Sequence, residues 1–312
     1  MLNFYRFKQD YLIFRGNDRL DLLNRLSTNQ VDSLEQNKGI KTVLTNDKGR
    51  FVDLITLYNF GDFIFSICSF NNSTNVIAHL DKYTIMDDFK AENLAGTHAT
   101  ILFYGDNNNK FAQHLFNTDL SHMENNDFQF HNIGDHHSII ARNDDLFGGF
   151  VFIYSVEDKQ LWDKKIFAED LKQKYSMHEV SNDEYETKRI DTGIPAYGKE
   201  MTEQTNPLEC GLYKYVSFTK GCYIGQEVIA RLDSYDKISK HMVKIEAERE
   251  FTSNETKIIY NNKECGFVTS AVKQNDKKHI GLGFVKTIFL DYHKEYKLKS
   301  ENILIDCRIK KI

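Results

Sequence analysis

The last third of the chain changes its pattern, and that change constrains the fold more than any other feature of the sequence. His241 to Ala247, Thr256 to Tyr260, Gly266 to Val272, Ile280 to Val285 and Ile303 to Ile309 are short β-rich runs, with Asn261-Asn262-Lys263-Glu264 as a hairpin turn between two of them. Runs of this kind, with no helical periodicity between them, predict a small antiparallel sheet or barrel. Upstream the rhythm is different, with strands alternating with helices. At 312 residues the chain exceeds the size at which one core keeps growing, so two or three domains are expected.

Tyr11 to Phe14 reads as a strand that leads through Arg15-Gly16, with Asn17 and Asp18 as caps, into a helix carrying Leu20, Leu22, Leu23 and Leu26. Ile40 to Leu44 and Arg50 to Tyr58 form a predicted hairpin around Asn46-Asp47-Lys48-Gly49. A strand over Phe63 to Phe70, a helix over Ser73 to Tyr83, a strand over Ala99 to Tyr104 and a helix over Asn107 to Phe116 follow. This alternation favours an α+β class of the split β-α-β kind. Asn117 to Gly134 reads as a polar connection, and its neighbours His131, His136 and His137 stand at no recognised metal-ligand spacing. Ser138 to Ala141 and Gly149 to Tyr154 read as strands, and Glu157 to Tyr175 as one long helix. Ser181 and Glu184 make a capping box that opens a further helix, ended by Gly193-Ile194-Pro195.

Charge and cysteine usage narrow the function classes. The net charge is -5 and the charges are interspersed, so no broad nucleic-acid surface is indicated and direct tRNA binding is not expected. Five cysteines stand far apart with no CxxC pair, which suits neither a disulfide framework nor a cysteine zinc site; no metal site is expected. With neither a secretory leader nor an apolar run long enough to span a bilayer, a cytoplasmic protein, monomeric and without membrane contact, is expected.

Two places carry candidate chemistry. In Lys220-Gly221-Cys222-Tyr223-Ile224-Gly225-Gln226-Glu227 two glycines bracket a cysteine ahead of a helical run through Val228, Ile229 and Leu232. Gly221 and Gly225 are expected to turn the chain on either side of Cys222. A helix starting near Gly225 and the adjacent Lys220 both favour a thiolate, which makes Cys222 a candidate reactive thiol; the alternative is a buried, inert cysteine in a glycine turn. Asp53 sits inside a predicted strand, where acids are depleted, and reads either as a solvent-facing residue or as a carboxylate on a cleft floor.

The run from Val216 to Glu227 closely resembles the signature of the YgfZ-type folate-binding proteins, the family of bacterial proteins tied to tRNA modification and of mitochondrial factors for iron-sulfur enzymes. Arg15-Gly16-Asn17-Asp18 to Val31, Thr45 to Arg50, Leu80 to Tyr83, Arg189 to Pro195, Gly266 to Ser270 and Gly281 to Lys286 resemble the same family in the same order. The resemblance implies the three-domain fold of the glycine-cleavage aminomethyltransferase (GcvT): a discontinuous folate-binding α+β core over 1–45 and 135–235, a ferredoxin-like α+β domain over 46–134, and a C-terminal β-barrel over 236–312.

It further implies tetrahydrofolate, or a one-carbon derivative, as the bound cofactor, and iron-sulfur enzymes or assembly proteins as clients. Cys222, Lys220 and Asp53 become the implied catalytic group, and Asp191, Tyr197, Arg231 and Gln226 the implied folate contacts. Asp191 matches the folate-contacting glutamate of the transferase, and its carboxylate can accept from pterin donors. Arg231, Lys220 and Lys199 are candidates for the glutamate tail. Where the transferase has two adjacent acids, this chain has Asp53 followed by Leu54, and where the transferase has a pterin-contacting asparagine after the next strand, it has Cys68-Ser69. The implied role is an accessory protein for iron-sulfur cluster assembly or repair; folate-dependent aminomethyl transfer or demethylation is the alternative.

Overall fold

In the computed structural model, which describes residues 1–234, 237–253, 255–301 and 303–312, the chain divides into two units. The first comprises Met1–Leu44, Val52–Val180 and Lys220–Tyr223, and the second Thr45–Phe51, Ser181–Thr219 and Ile224–Ile312. Apart from the inner ends of the β3–β4 hairpin, the first unit holds β1 (Leu2–Phe7), β2 (Gln9–Arg15), α1 (Arg19–Leu26), β3 (Gly39–Thr45), β4 (Phe51–Asn59), β5 (Ile64–Ser69), α2 (Ser73–Tyr83) and β6 (Lys90–Asn93). It continues through β7 (His98–Tyr104), α3 (Asn108–Phe116), β8 (Phe128–Ile133), β9 (His136–Asn143), β10 (Gly149–Ser155), α4 (Lys159–Ile166), α5 (Glu169–Tyr175) and β11 (Met177–Glu179).

These strands make two sheets, of order β11-β1-β7-β10-β9-β8 and β3-β4-β5-β2-β6. The boundaries expected at 45/46 and 134/135 do not divide the sheets, because strands from either side share each one. The period of two along β10 sends Phe150, Phe152 and Tyr154 to one face, where the apolar stripes of α3, α4 and α5 cover them. Phe103 stacks on Phe150 at 5.0 Å, Phe116 on Phe152 at 4.9 Å, and Trp162 meets Phe152 edge-on at 4.9 Å. Each fully buried ring of this kind contributes about 1.5–3 kcal/mol.

The long helix expected over 157–175 is broken. Ala168 takes an extended conformation (φ -56°, ψ 142°), and the break seats Phe167 against Phe4 at 4.6 Å, under the Arg6 guanidinium. A tertiary contact here overrides a helical stripe that runs through the break in sequence. The polar connection expected over 117–134 contains β8, whose edge position leaves Gln129 and Phe130 exposed and weakens its apolar signal.

The second unit holds α6 (Asn182–Thr192), α7 (Gln226–Ser234), β12 (Lys240–Ala247), β13 (Lys257–Tyr260), β14 (Lys263–Asn275), β15 (Lys278–Lys286), β16 (Glu295–Ser300) and β17 (Ile303–Lys310). Its strands close into a barrel of order β12-β15-β14-β13-β16-β17, so the expected C-terminal barrel is present. The boundary expected between 235 and 236 lies outside the described residues. Asn261 and Asn262, at φ 49° and 61°, make the predicted hairpin turn. Gly281 and Gly283 serve close strand approach: a Cβ at either would lie 2.5 Å from the Ser270 carbonyl oxygen or 2.4 Å from that of Phe267. The capping box forms as read, with Ser181 Oγ accepting from the Glu184 N–H, and Gly193 ends α6 at φ 74°.

Candidate functional site

Cys222 lies on a loop tied down on both sides. Ahead of it, the Lys220 side chain turns into the first unit, where its Nζ donates to the carbonyls of Asn24 (2.6 Å), Ser27 (2.9 Å) and Asn29 (2.6 Å). These lie in and just beyond the last turn of α1, where main-chain carbonyls lack helical partners and the dipole favours a cation. Lys220 was expected to favour a thiolate through its charge; its ammonium is hydrogen-bonded to these carbonyls. Burial pushes it down to about 8, against the opposing charge of Asp32.

Within the second unit, Thr45 Oγ1 donates to the Ile224 carbonyl at 2.7 Å, and Gly225 takes φ 84°. A Cβ on Gly225 would lie 2.5 Å from the Asn46 carbonyl oxygen, so only glycine lets the β3–β4 turn approach the start of α7. Gly221 does not share this role, since its φ is not positive and a Cβ there would meet nothing within 4 Å. α7 then begins at Gln226 and packs Ile229 against Leu208, Val216 and Ile238.

Of the five cysteines, Cys222 is exposed while Cys68, Cys210, Cys265 and Cys307 are buried. Burial pushes all four buried thiols up, Cys265 to about 11 and Cys307 to about 12. Cys222 is therefore not buried, as one of its two readings had it: it is the thiol that solvent and other molecules can reach.

Asp53 does not face solvent, as one of the two expectations had it, and it does not lie on an open floor either, since its accessibility is 0 %. Oδ1 accepts from the Leu54 N–H (2.7 Å) and Ser69 Oγ (2.6 Å), and Oδ2 from the Ser69 N–H (2.9 Å) and Asn72 Nδ2 (3.0 Å). Burial raises its carboxyl pKa and the hydrogen bonds oppose that rise. The alternation along β4 puts Leu54 on the other, half-buried face. Asp53 is thus the polar hub that joins β4, the end of β5 and the start of α2.

In the second unit, Asp191 lies exposed in the last turn of α6. Its Oδ1 accepts from Lys244 of β12 and from Gln274 Nε2 of β14, the latter at 3.2 Å. The Lys244 ammonium holds its carboxyl below the ordinary carboxylate range, so the group is ionised at neutral pH. Both bonds fall on Oδ1, which leaves Oδ2 for a further donor. Tyr197 follows six residues later with its side chain partly exposed. Gln226 opens α7, and Arg231 pairs with Glu227 one turn back at 2.8 Å. Lys199 donates to Glu186 at 2.6 Å.

One cluster was not read from sequence. Arg189, two residues before Asp191, is buried and donates to Glu200 Oε2 at 3.1 Å, to the Ile194 carbonyl at 2.6 Å, to both Glu186 oxygens at 2.9 Å and to Ser270 Oγ at 2.8 Å. Glu200 also accepts from the Ala196 N–H at 2.9 Å and from Thr269 Oγ1 at 2.6 Å. The loop that carries Tyr197 is folded around this ion pair. Among the described residues, no three His, Cys, Asp or Glu side chains come together to hold a metal ion, and no helix is long and apolar enough to cross a membrane.

A family model described as the GCVT N-terminal domain matches residues 10–220. A chloroplastic protein of Arabidopsis thaliana, whose name assigns it to the transferases provisionally, is 30% identical over 277 residues, covering 87% of this chain. This chain spans 62% of that relative's length. The aminomethyltransferase of Thermoanaerobacter sp. (strain X514) is 23% identical over 301 residues, 92% of this chain and 79% of the relative. Among solved structures, the glycine cleavage system aminomethyltransferase T from Bartonella henselae superposes with a TM-score of 0.85 at 14% identity, covering 100% of this chain and 85% of that one. At that identity the likeness concerns the fold.

Proposed function

Because this chain belongs to the GCVT N-terminal domain family, the aminomethyltransferase-like proteins, we propose that it is a tetrahydrofolate-binding accessory protein for iron-sulfur cluster assembly or repair that acts through Cys222. The observation that supports this reading is a contrast within the first unit. The strand acid Asp53 is enclosed by four donor groups, while Cys222 is the exposed one of five cysteines. A carboxylate without access to solvent is poorly placed to exchange protons with a substrate, whereas an exposed thiol can reach a client protein.

Tetrahydrofolate suits the second unit on one point. Asp191 is ionised and keeps Oδ2 for the amino or ring N–H donors of a pterin. When bound, the cofactor carries one-carbon units on its ring and bridge nitrogens. Tyr197, Gln226 and Arg231 are the further residues assigned to it. A stable cluster generally needs about four thiolates, so one exposed cysteine works on a cluster together with thiols of the client. Cluster-dependent tRNA thiolation is a downstream process that such an activity would support.

Two experiments test the reading. In a strain lacking its own protein of this kind, the wild-type chain is expected to restore activity of iron-sulfur enzymes, and Cys222→Ala to fail; full rescue by the variant removes the thiol role. In a titration with reduced folates, Asp191→Ala is expected to weaken binding about tenfold or more, the value of a hydrogen bond to a charged group; equal affinity removes Asp191 from the site. Aminomethyl transfer is the second reading, favoured by the similarity to aminomethyltransferases over most of the chain. Formation of methylene-tetrahydrofolate by purified protein, retained in Cys222→Ala, would establish it in place of the first.

A further inference from the structure

We propose that Lys220 is the positioning residue of the Cys222 loop: its ammonium, seated in a cup of three carbonyls at the end of α1, fixes where the loop presents the thiol. An ammonium has three N–H donors, and the carbonyls of Asn24, Ser27 and Asn29 accept from it at 2.6–2.9 Å. The residue is only 7% accessible, so this is a buried tie and not a surface contact.

The cup is itself rigid. Asn24 Oδ1 accepts from the Val31 N–H at 2.9 Å, Ser27 Oγ donates to the Leu23 carbonyl at 2.7 Å, and Asn29 Nδ2 donates to the Lys41 carbonyl at 2.9 Å. On the far side of the cysteine, the buried Tyr223 ring has its centroid 5.3 Å from the same Nζ. Gly221 and Cys222 are therefore the exposed pair between two buried residues that meet one ammonium. Removing that ammonium leaves three carbonyls without this donor and frees the loop from its anchor at the end of α1.

The inference rests on the reading of Cys222 as the acting residue, but its test does not. A nitroxide attached to the full chain under native conditions goes to Cys222, because the other four cysteines are buried. The wild-type spectrum is expected to hold a slow-motion component, and Lys220→Met, which keeps the length of the side chain and removes its donors, to lose it. A folded Lys220→Met chain with the wild-type spectrum overturns the proposal. Should that variant not fold, Asn24→Ala decides the matter: it keeps Lys220, removes the Val31 bond that shapes the cup, and is expected to lose part of the slow component, while an unchanged spectrum again overturns the proposal. Rescue by Cys222→Ala would dismiss the functional reading of the thiol and leave this result standing.

Discussion

Asp53→Asn is expected to lower the melting temperature of the protein by about 10 °C, from a loss of about 3 kcal/mol over a unit of this size. The carboxylate satisfies two donors on each oxygen: Leu54 N–H and Ser69 Oγ on Oδ1, Ser69 N–H and Asn72 Nδ2 on Oδ2. Asparagine has one acceptor oxygen, and its amide nitrogen would face two donors in whichever orientation it takes. At least one buried donor would then go unmet, since the Ser69 hydroxyl can turn to accept but a backbone N–H cannot, and each unmet donor costs about 1–3 kcal/mol. Differential scanning calorimetry of the wild type and the variant measures this directly. The same variant separates two roles for the residue. A catalytic Asp53 would lose turnover with little change in melting, whereas the hub between β4, β5 and α2 loses melting temperature first. An unchanged melting temperature would mean that the buried bonds contribute nothing.

The burial of Asp53 also marks where the sequence stopped being readable. Its place in a β-rich run was clear, but an acid there read as facing solvent or a cleft, whereas the structure puts it on the buried face with Phe51, Ile55 and Leu57. An acid on that face is stable only if donors converge on it, and those come from Ser69 and Asn72, which no local pattern ties to residue 53. The barrel was legible because its runs are short, β-branched and separated by turn residues, and because Asn261-Asn262 has one favoured conformation. β16 escaped because Glu295, Lys297 and Lys299 alternate with the buried Tyr296 and Leu298, so its charges hid a strand with one face in the barrel core.

At the candidate site, glycine chemistry located the Cys222 loop and the start of α7. It gave the reason correctly for Gly225, where backbone meets backbone, and incorrectly for Gly221, which stands in open space. The destination of Lys220 was invisible, since the carbonyls that receive it lie 191 to 196 residues earlier in the chain. Adjacency in sequence tied the lysine to the thiol, and what sequence did not show is the bonding of its ammonium to the end of α1.

Arg189→Met is expected to destabilise the second unit by about 3–5 kcal/mol, because it strands a buried carboxylate. Glu200 is wholly inaccessible and would keep its bonds to Ala196, Ser270 and Thr269 while losing its counter-ion. The pair is coupled, so the double variant Arg189→Met/Glu200→Leu is expected to cost less than the sum of the single ones; additive losses would show that the ion pair carries no interaction of its own. Acid adds a second signature. Glu186 is held below its ordinary value as Arg189 and Lys199 outweigh its burial, so its folded-state pKa lies under the unfolded one. Its contribution is present above the unfolded value, near pH 4.3, and is lost as pH falls through the lower folded value. With Arg189 gone that depression shrinks, and the stability gap between wild type and variant should narrow as pH falls below about 4. Since the Tyr197 loop folds around this pair and Asp191 follows Arg189 on the same helix, folate titrations of Arg189→Met should weaken together with stability. Binding retained at full strength in the destabilised variant would place the folate contacts elsewhere than on α6 and its loop.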